Sequence, residues 1–389
     1  MRARLRRRLT QPGVVLPLAL LAGQAGLLVL SPILVEVADD FGVTTAAAGQ
    51  LRTVTGLVAG VAALLFGRVG RGVPLRDLML AGAGLLAAGS VLSAAAPSFA
   101  VLAVAQVLIG LAVAVLISAG AAAAGEWTAP EDRSRVLART LMGPALAWVV
   151  GMPLVGLVAE TSWRLAFLAL PLVAALVVGF ALSLCQREVL PEARPLVRLR
   201  DLLQERTLRL WAIAELLVMS AWVGTLVYSG ALFIESYGTS VAATGLILGV
   251  AAVAYLPGNY LASRVPAAPL TLLRWTTLAS AGALLLFGAV RPSVAVSVVL
   301  LAITAFVSAA RTYAGGAFGL AASEHRLAVM GIRGAANQFG YLVGAATGGI
   351  ALLLGGYSLL GVVFGALLAT AAALYLLLGR DARVGLTAP

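Results

Sequence analysis

The sequence predicts an all-α membrane protein, with twelve spanning helices arranged as two six-helix bundles. Three observations predict it. Apolar residues make up 61 % of 389 and the mean hydropathy is +1.02, more apolar surface than a soluble core can hide. The apolar residues gather into twelve stretches of about 20, the length needed to cross a bilayer as a helix. The longest charged interruption, QREVLPEARPLVRLRDLLQERTLR at 186–209, lies close to the midpoint and divides those stretches six and six.

Taken in order, the chain opens MRARLRRRLT and turns apolar over 14–37. That start resembles a secretory signal, yet the apolar run continues without a small-residue cleavage site, so it reads as an uncleaved first helix. Spans two to six cover 46–66, 77–96, 99–123, 136–158 and 164–184. Spans seven to twelve cover 208–234, 240–262, 270–290, 293–321, 329–354 and 357–378. Tight turns separate them, among them Ala96-Pro97-Ser98, Arg291-Pro292-Ser293 and Gly355-Gly356-Tyr357-Ser358. The expected division is therefore an N-terminal bundle at 1–185, a linker at 186–207 and a C-terminal bundle at 208–389. Within the linker, Leu196 to Leu208 reads either as a short amphipathic surface helix, with Leu199, Leu202 and Leu203 inward, or as a solvated connection. The bundles share a layout: each opens with a helix leading into an acidic, Gly-containing loop, and in each a Pro-Ser turn joins the third and fourth helices. A parallel repeat of six helices is a transporter architecture, with its site expected near the bilayer midplane.

The net charge of +11 comes from 27 basic residues, all arginine. Its distribution excludes nucleic acid as the partner. Only Arg164 and Arg291 fall in outer loops and Arg52 and Arg311 within helices; the remaining arginines lie on one side, which the positive-inside rule makes cytoplasmic. The other side collects Glu36, Asp39, Asp40, Glu160 and Glu235. Both termini are thus expected in the cytoplasm and the chain in the inner membrane. A single cysteine, Cys185, excludes disulfides within the chain, and a single histidine, His325, leaves no metal set and no nucleophile–base pair. Without lysine there is no Gly-x-x-x-x-Gly-Lys loop and hence no ATP site of that kind. No cofactor is expected, and an intramembrane enzyme is the remote alternative.

Helix five carries WVVGMPLVGLVAETSWRLAF, in which Gly151, Pro153 and Gly156 precede Trp163, Arg164 and Phe167. Glycine permits close approach and proline bends a helix, so the segment suits a hinged contact. On this spacing the chain resembles the major facilitator superfamily, in particular its twelve-helix drug and metabolite exporters similar to arabinose-efflux permeases. The resemblance implies export by alternating access. The loop GRVGRGVPLRD is similar to the family's Gly-x-Leu-x-Asp-Arg-x-Gly-Arg-Arg: Gly67, Val69 and Arg76 fit, but Arg71 stands where the family has its acid. In helix four, Gln106 occupies the place of an arginine that the family associates with proton transfer, with Gly110 retained. Gln106 cannot titrate.

Charges inside spans cost at least ~2.5–3.5 kcal/mol each and are functional candidates by default. Glu36 and Arg52 lie near the ends of spans one and two and are expected to form an outer-rim pair. Glu215 lies roughly 10 Å into span seven and Arg311 roughly 15 Å into span ten, counted from the cytoplasmic side. The two depths nearly match. Met219 and Trp222 share the helical face of Glu215, and Thr304, Ser308 and Gly315 that of Arg311. Two readings of the pair stand: a structural tie between helices seven and ten, or a site where Glu215 takes a proton when the pair separates. Gln24, Gln106 and Asn337 are further cavity candidates, each equally able to join helices by hydrogen bonds. A cavity so lined suits a small amphiphilic or lipophilic substrate, moved by a single chain at the expense of protons. Export is the expected direction, by proton antiport, with an importer or facilitator of a small metabolite as the alternative.

Overall fold

A computed structural model describes residues 11–69, 72–128, 132–185, 199–323 and 325–385. Among these, ten helices are long and apolar enough to cross a membrane. The longest, Arg326–Gly385, is two helices joined at Gly355 and Gly356. Gly356 there has φ +62° and ψ −159°, a conformation open essentially to glycine alone, so the chain turns where the eleventh and twelfth spans were expected to part. With these two counted separately and the shorter Pro12–Leu28 added, the helices accord with twelve spans.

The first span is interrupted. Its helix Pro12–Leu28 stops and a second, Leu34–Phe41, ends at Gly42 with φ +61°. Pro32 explains the break, because it has no N–H to offer the carbonyl of Leu28; Ser31 donates to that carbonyl instead, at 3.0 Å. The carbonyl of Gly26, left without its helical donor, is met by Nη1 of Arg52 at 3.2 Å.

Contact density divides the chain into two compact units. Unit 1 holds 1–194 together with 233–249, and unit 2 holds 195–232 with 250–389. The sequence groups 233–249 with the second bundle; here it packs among N-terminal helices. Glycine permits this. A Cβ on Gly156 would stand 2.7 Å from the carbonyl oxygen of Val241 and 2.8 Å from Cα of Gly245, and one on Gly249 would stand 2.7 Å from Cγ of Pro153. Side chains join the same parts: Glu160 accepts from the amide of Ala242 at 2.8 Å, and Thr45 donates to Glu235.

The units repeat two devices, each within itself. Ser98 and Ser293 cap the fourth and tenth helices, Phe99–Glu126 and Val294–Ala321, by accepting from Val101 and Val296 at 3.4 Å. Arg76, in the first turn of the third helix, Leu75–Ala94, donates its Nε to the carbonyl of Leu182 at 3.1 Å. Arg274, in the first turns of the ninth helix, Pro269–Ala289, donates its Nε to the carbonyl of Tyr375 at 3.0 Å. Of the linker, 186–198 lies outside the described residues; Leu199–Gln204 is helical, with Leu202 buried.

Candidate functional site

The site grows from two long helices of unit 2, whose apolar composition leaves few polar groups to explain. The seventh, Arg206–Tyr237, carries Glu215; the tenth, Val294–Ala321, carries Arg311. Both side chains are wholly buried. Arg311 donates to both carboxylate oxygens of Glu215, through Nη2 to Oε1 and through Nη1 to Oε2 at 3.3 Å. A fork of two parallel N–H donors is the geometry by which a guanidinium binds a carboxylate most strongly.

Two further side chains complete the cluster, and sequence reasoning missed both. The hydroxyl of Tyr375, on the twelfth helix, receives Nη2 of Arg311 at 2.6 Å and lies 3.5 Å from Oε1 of Glu215. Arg333, on the eleventh, places Nε 3.4 Å from Oε2 of Glu215 and donates Nη2 to the carbonyl of Thr312. Glycines make the room: a Cβ on Gly316 would lie 2.6 Å from Nη1 of Arg333. Beneath the cluster the buried indole of Trp211 donates to the carbonyl of Gly315 at 3.1 Å. Helices seven, ten, eleven and twelve thus meet at one carboxylate. Arg333 carries a weak signal, an arginine inside the apolar run 329–354, but it groups with the arginines that set orientation; Tyr375, a tyrosine in an apolar helix, carries none.

The other candidates divide. Met219 is buried against the backbone of Gly340, and Trp222 stacks on Tyr255 with ring centroids 5.7 Å apart and an interplanar angle of 24°. Ser308 is buried, while the hydroxyl of Thr304 donates to the carbonyl of Leu300 at 2.7 Å and is spent on its own helix. Asn337 is half-buried on the eleventh helix, beside Gln338, whose Oε1 is buried without a hydrogen-bond partner.

In unit 1, Gln24 is buried. Gln106 accepts from the hydroxyl of Thr55 at 3.2 Å and donates to that of Ser93 at 3.4 Å, so it joins helices two, three and four. Glu36 and Arg52 are the residues expected to pair at the outer rim. Arg52 is wholly buried and serves the carbonyl that the broken first helix leaves open, while Oε2 of Glu36, also buried, has no hydrogen-bond partner. Arg164, expected in an outer loop, forms a clasp: Nη2 meets Asp40 at 2.7 Å, Nη1 the carbonyl of Ala96 at 2.7 Å, and its guanidinium covers the Trp163 ring at 4.4 Å. Gly151 packs on Leu170. Of the loop residues, Arg76 closes the end of the sixth helix as described, Arg71 lies outside the described residues, and Gly67 lies in the last turn of the second helix, Thr45–Val69. Among the described residues no group of His, Cys, Asp and Glu could hold a metal.

Comparison with known proteins supports the reading of the fold. The model of the Major Facilitator Superfamily matches residues 18–323. An uncharacterized MFS-type transporter, YbcL of Bacillus subtilis (strain 168), is 27 % identical over 158 residues, which is 40 % of this chain and 40 % of that protein. The structure of a bacterial homolog of the human lysosomal transporter Spinster, inward-facing and occupied, superposes with a TM-score of 0.77 at 17 % identity, covering 95 % of this chain and 96 % of that one. A D-xylose-proton symporter superposes with a TM-score of 0.79 at 14 % identity, covering 93 % and 96 %. At these identities the two structures establish a shared fold. Since the family model spans well over half of the sequence, the chain belongs to the Major Facilitator Superfamily, a family of membrane transporters that are not enzymes, and is a multi-pass membrane protein.

Proposed function

We propose that this transporter exports a small amphiphilic or lipophilic compound by alternating access, driven by protons, as a single chain in the cytoplasmic membrane with both termini in the cytoplasm. One observation carries the coupling: a carboxylate and a guanidinium, each fully buried, joined across helices seven and ten of a membrane-spanning unit. Such a pair persists in lipid only while both partners are present, so any movement that parts them obliges Glu215 to find another cation or a proton. Gln106, fully engaged where the family has its titratable candidate, leaves Glu215 as the coupling carboxyl. Support for export comes from the Gly151-Pro153-Gly156 segment of helix five and its close backbone packing. Support for the orientation comes from the one-sided arginines. The two-bundle division at 186–207 is part of the same proposal.

Import is the second reading, and one observation favours it. Glu215 is shared by two guanidiniums, so a proton on Glu215 would free a cation, and proton and substrate could then bind to one state, as symport requires.

Everted membrane vesicles separate the two. With an acid-interior gradient followed by acridine orange quenching, a transported amphiphile should dissipate the gradient in wild-type vesicles. Vesicles bearing equal amounts of Glu215→Gln should not respond. A full response from this variant removes Glu215 from the coupling, and uptake into intact cells with no response in everted vesicles reverses the direction.

A further inference from the structure

The cluster around Glu215 is not neutral. Arg311, Arg333 and Glu215 are the charges that act on both Tyr255 and Tyr375 from the helices around them. Two guanidiniums against one carboxylate leave one positive charge in excess, and Tyr375, a phenol, does not offset it at neutral pH. An uncompensated charge at this depth is costly, and the cost disappears when an anion joins it.

The two arginines are not equivalent. Arg311 is wholly buried and committed to Glu215 and Tyr375. The side chain of Arg333 is 21 % exposed, and although its Nε lies 3.4 Å from Glu215 the geometry makes no hydrogen bond. Arg333 is therefore the cation with capacity to spare. An aromatic surface adjoins it: Thr312, whose carbonyl receives Nη2 of Arg333, lies beside Tyr255, which stacks on Trp222. A donor for an anionic head and a flat apolar face for its body thus lie side by side in unit 2.

We propose that the substrate is an amphiphilic organic monoanion, a carboxylate or sulfonate on a planar apolar body, bound through Arg333 in competition with Glu215. This rests on the transporter reading for its purpose, but the binding site stands on its own geometry; competition with Glu215 favours the second reading, in which proton and substrate bind to one state.

The test uses the full chain in lipid nanodiscs, with empty nanodiscs correcting for partition into lipid, and three radiolabelled naphthalene probes of like shape: 2-naphthoate, 2-naphthylmethanol and 2-naphthylmethylammonium. Equilibrium dialysis should show saturable binding of the naphthoate, roughly tenfold or more tighter than either other probe, as a charge-assisted hydrogen bond provides. Arg333→Gln should weaken the naphthoate by roughly tenfold and leave the alcohol unmoved. Glu215→Gln, which removes the competing carboxylate, should tighten it. The opposite signs separate competition from damage, since a merely disturbed fold weakens both. The proposal is overturned if the ammonium binds as tightly as the naphthoate, if no probe saturates, if Arg333→Gln changes nothing, or if Glu215→Gln weakens the naphthoate. Should the naphthoate bind as described while liposomes carrying the protein release it no faster than empty ones, the transporter reading fails and the site remains.

Discussion

Glu215 accepts from two donors, the fork of Arg311 and the hydroxyl of Tyr375, and lies in an ion pair with Arg333, whose Nε is 3.4 Å away. This arrangement ranks the consequences of removing each partner. Glu215→Gln leaves two guanidiniums without a counter-charge, and breaking a buried pair in that way costs ~3–5 kcal/mol. Arg311→Leu removes the better-aligned cation but leaves Glu215 beside Arg333, with the Tyr375 hydroxyl free to donate to it. Its cost should be smaller, although pair-based reasoning would make the two equal. Thermal unfolding of the purified variants in detergent should therefore give a lower midpoint for Glu215→Gln than for Arg311→Leu; the reverse order would mean that Arg333 does not hold the carboxylate. The meeting of Glu215 and Arg311 was legible because lone charges stand out in apolar helices and their depths could be counted at 1.5 Å per residue. Arg333 was not, because an arginine near a helix end serves orientation and ligation with the same letter, and only the fold tells which way a long, flexible side chain turns.

At the scale of the element, the sequence marked where helices lie better than where they break. Span lengths follow from bilayer thickness and were readable from composition alone. The break after Leu28 had a local signal, Pro32, yet its consequence was remote: the carbonyl of Gly26 must be satisfied inside the membrane, and the donor comes from 26 residues away in Arg52. No spacing rule expresses so remote a requirement. The eighth helix, Val241–Ala262, meets a similar need with a carboxylate. Glu160, at the end of the fifth, accepts the amide of Ala242 in the first turn, and this bond together with the hydroxyl of Ser240 holds its carboxyl below the ordinary value of 4.5. A carboxyl depressed in the folded state contributes stability that is complete above its ordinary pKa and is lost as the pH falls through the lowered one. The difference in unfolding midpoint between wild type and Glu160→Gln should accordingly hold steady from pH 7 to the ordinary carboxylate range and vanish at more acid pH. A difference that grows on acidification would refute the cap.

For the whole molecule, two units repeat their capping serines and their helix-closing arginines, Arg76 and Arg274, and this internal symmetry was visible beforehand as paired Pro-Ser turns and acidic loops. That Arg333 and Tyr375 join the pair of Glu215 and Arg311 was not, because they are separated from it by long runs of sequence and brought to it only by packing. Their convergence bears on how the transporter is driven. A membrane potential contributes about 2.3 kcal/mol per elementary charge for each 100 mV, so the number of charges moved per cycle can be read from the potential that just balances a substrate gradient. If an organic anion leaves as a proton enters, about two charges move in the same electrical sense; if proton and anion travel together, none does. Glu215→Gln carries no exchangeable proton, so an anion crossing with it moves its own charge alone. Proteoliposomes clamped by valinomycin and potassium gradients, with 2-naphthoate on one side, measure all three cases as reversal potentials. Export by exchange predicts that wild type balances a given naphthoate gradient at half the potential that Glu215→Gln requires. A wild-type flux indifferent to potential would make the chain an importer, and equal reversal potentials for the two proteins would show that Glu215 moves no proton at all.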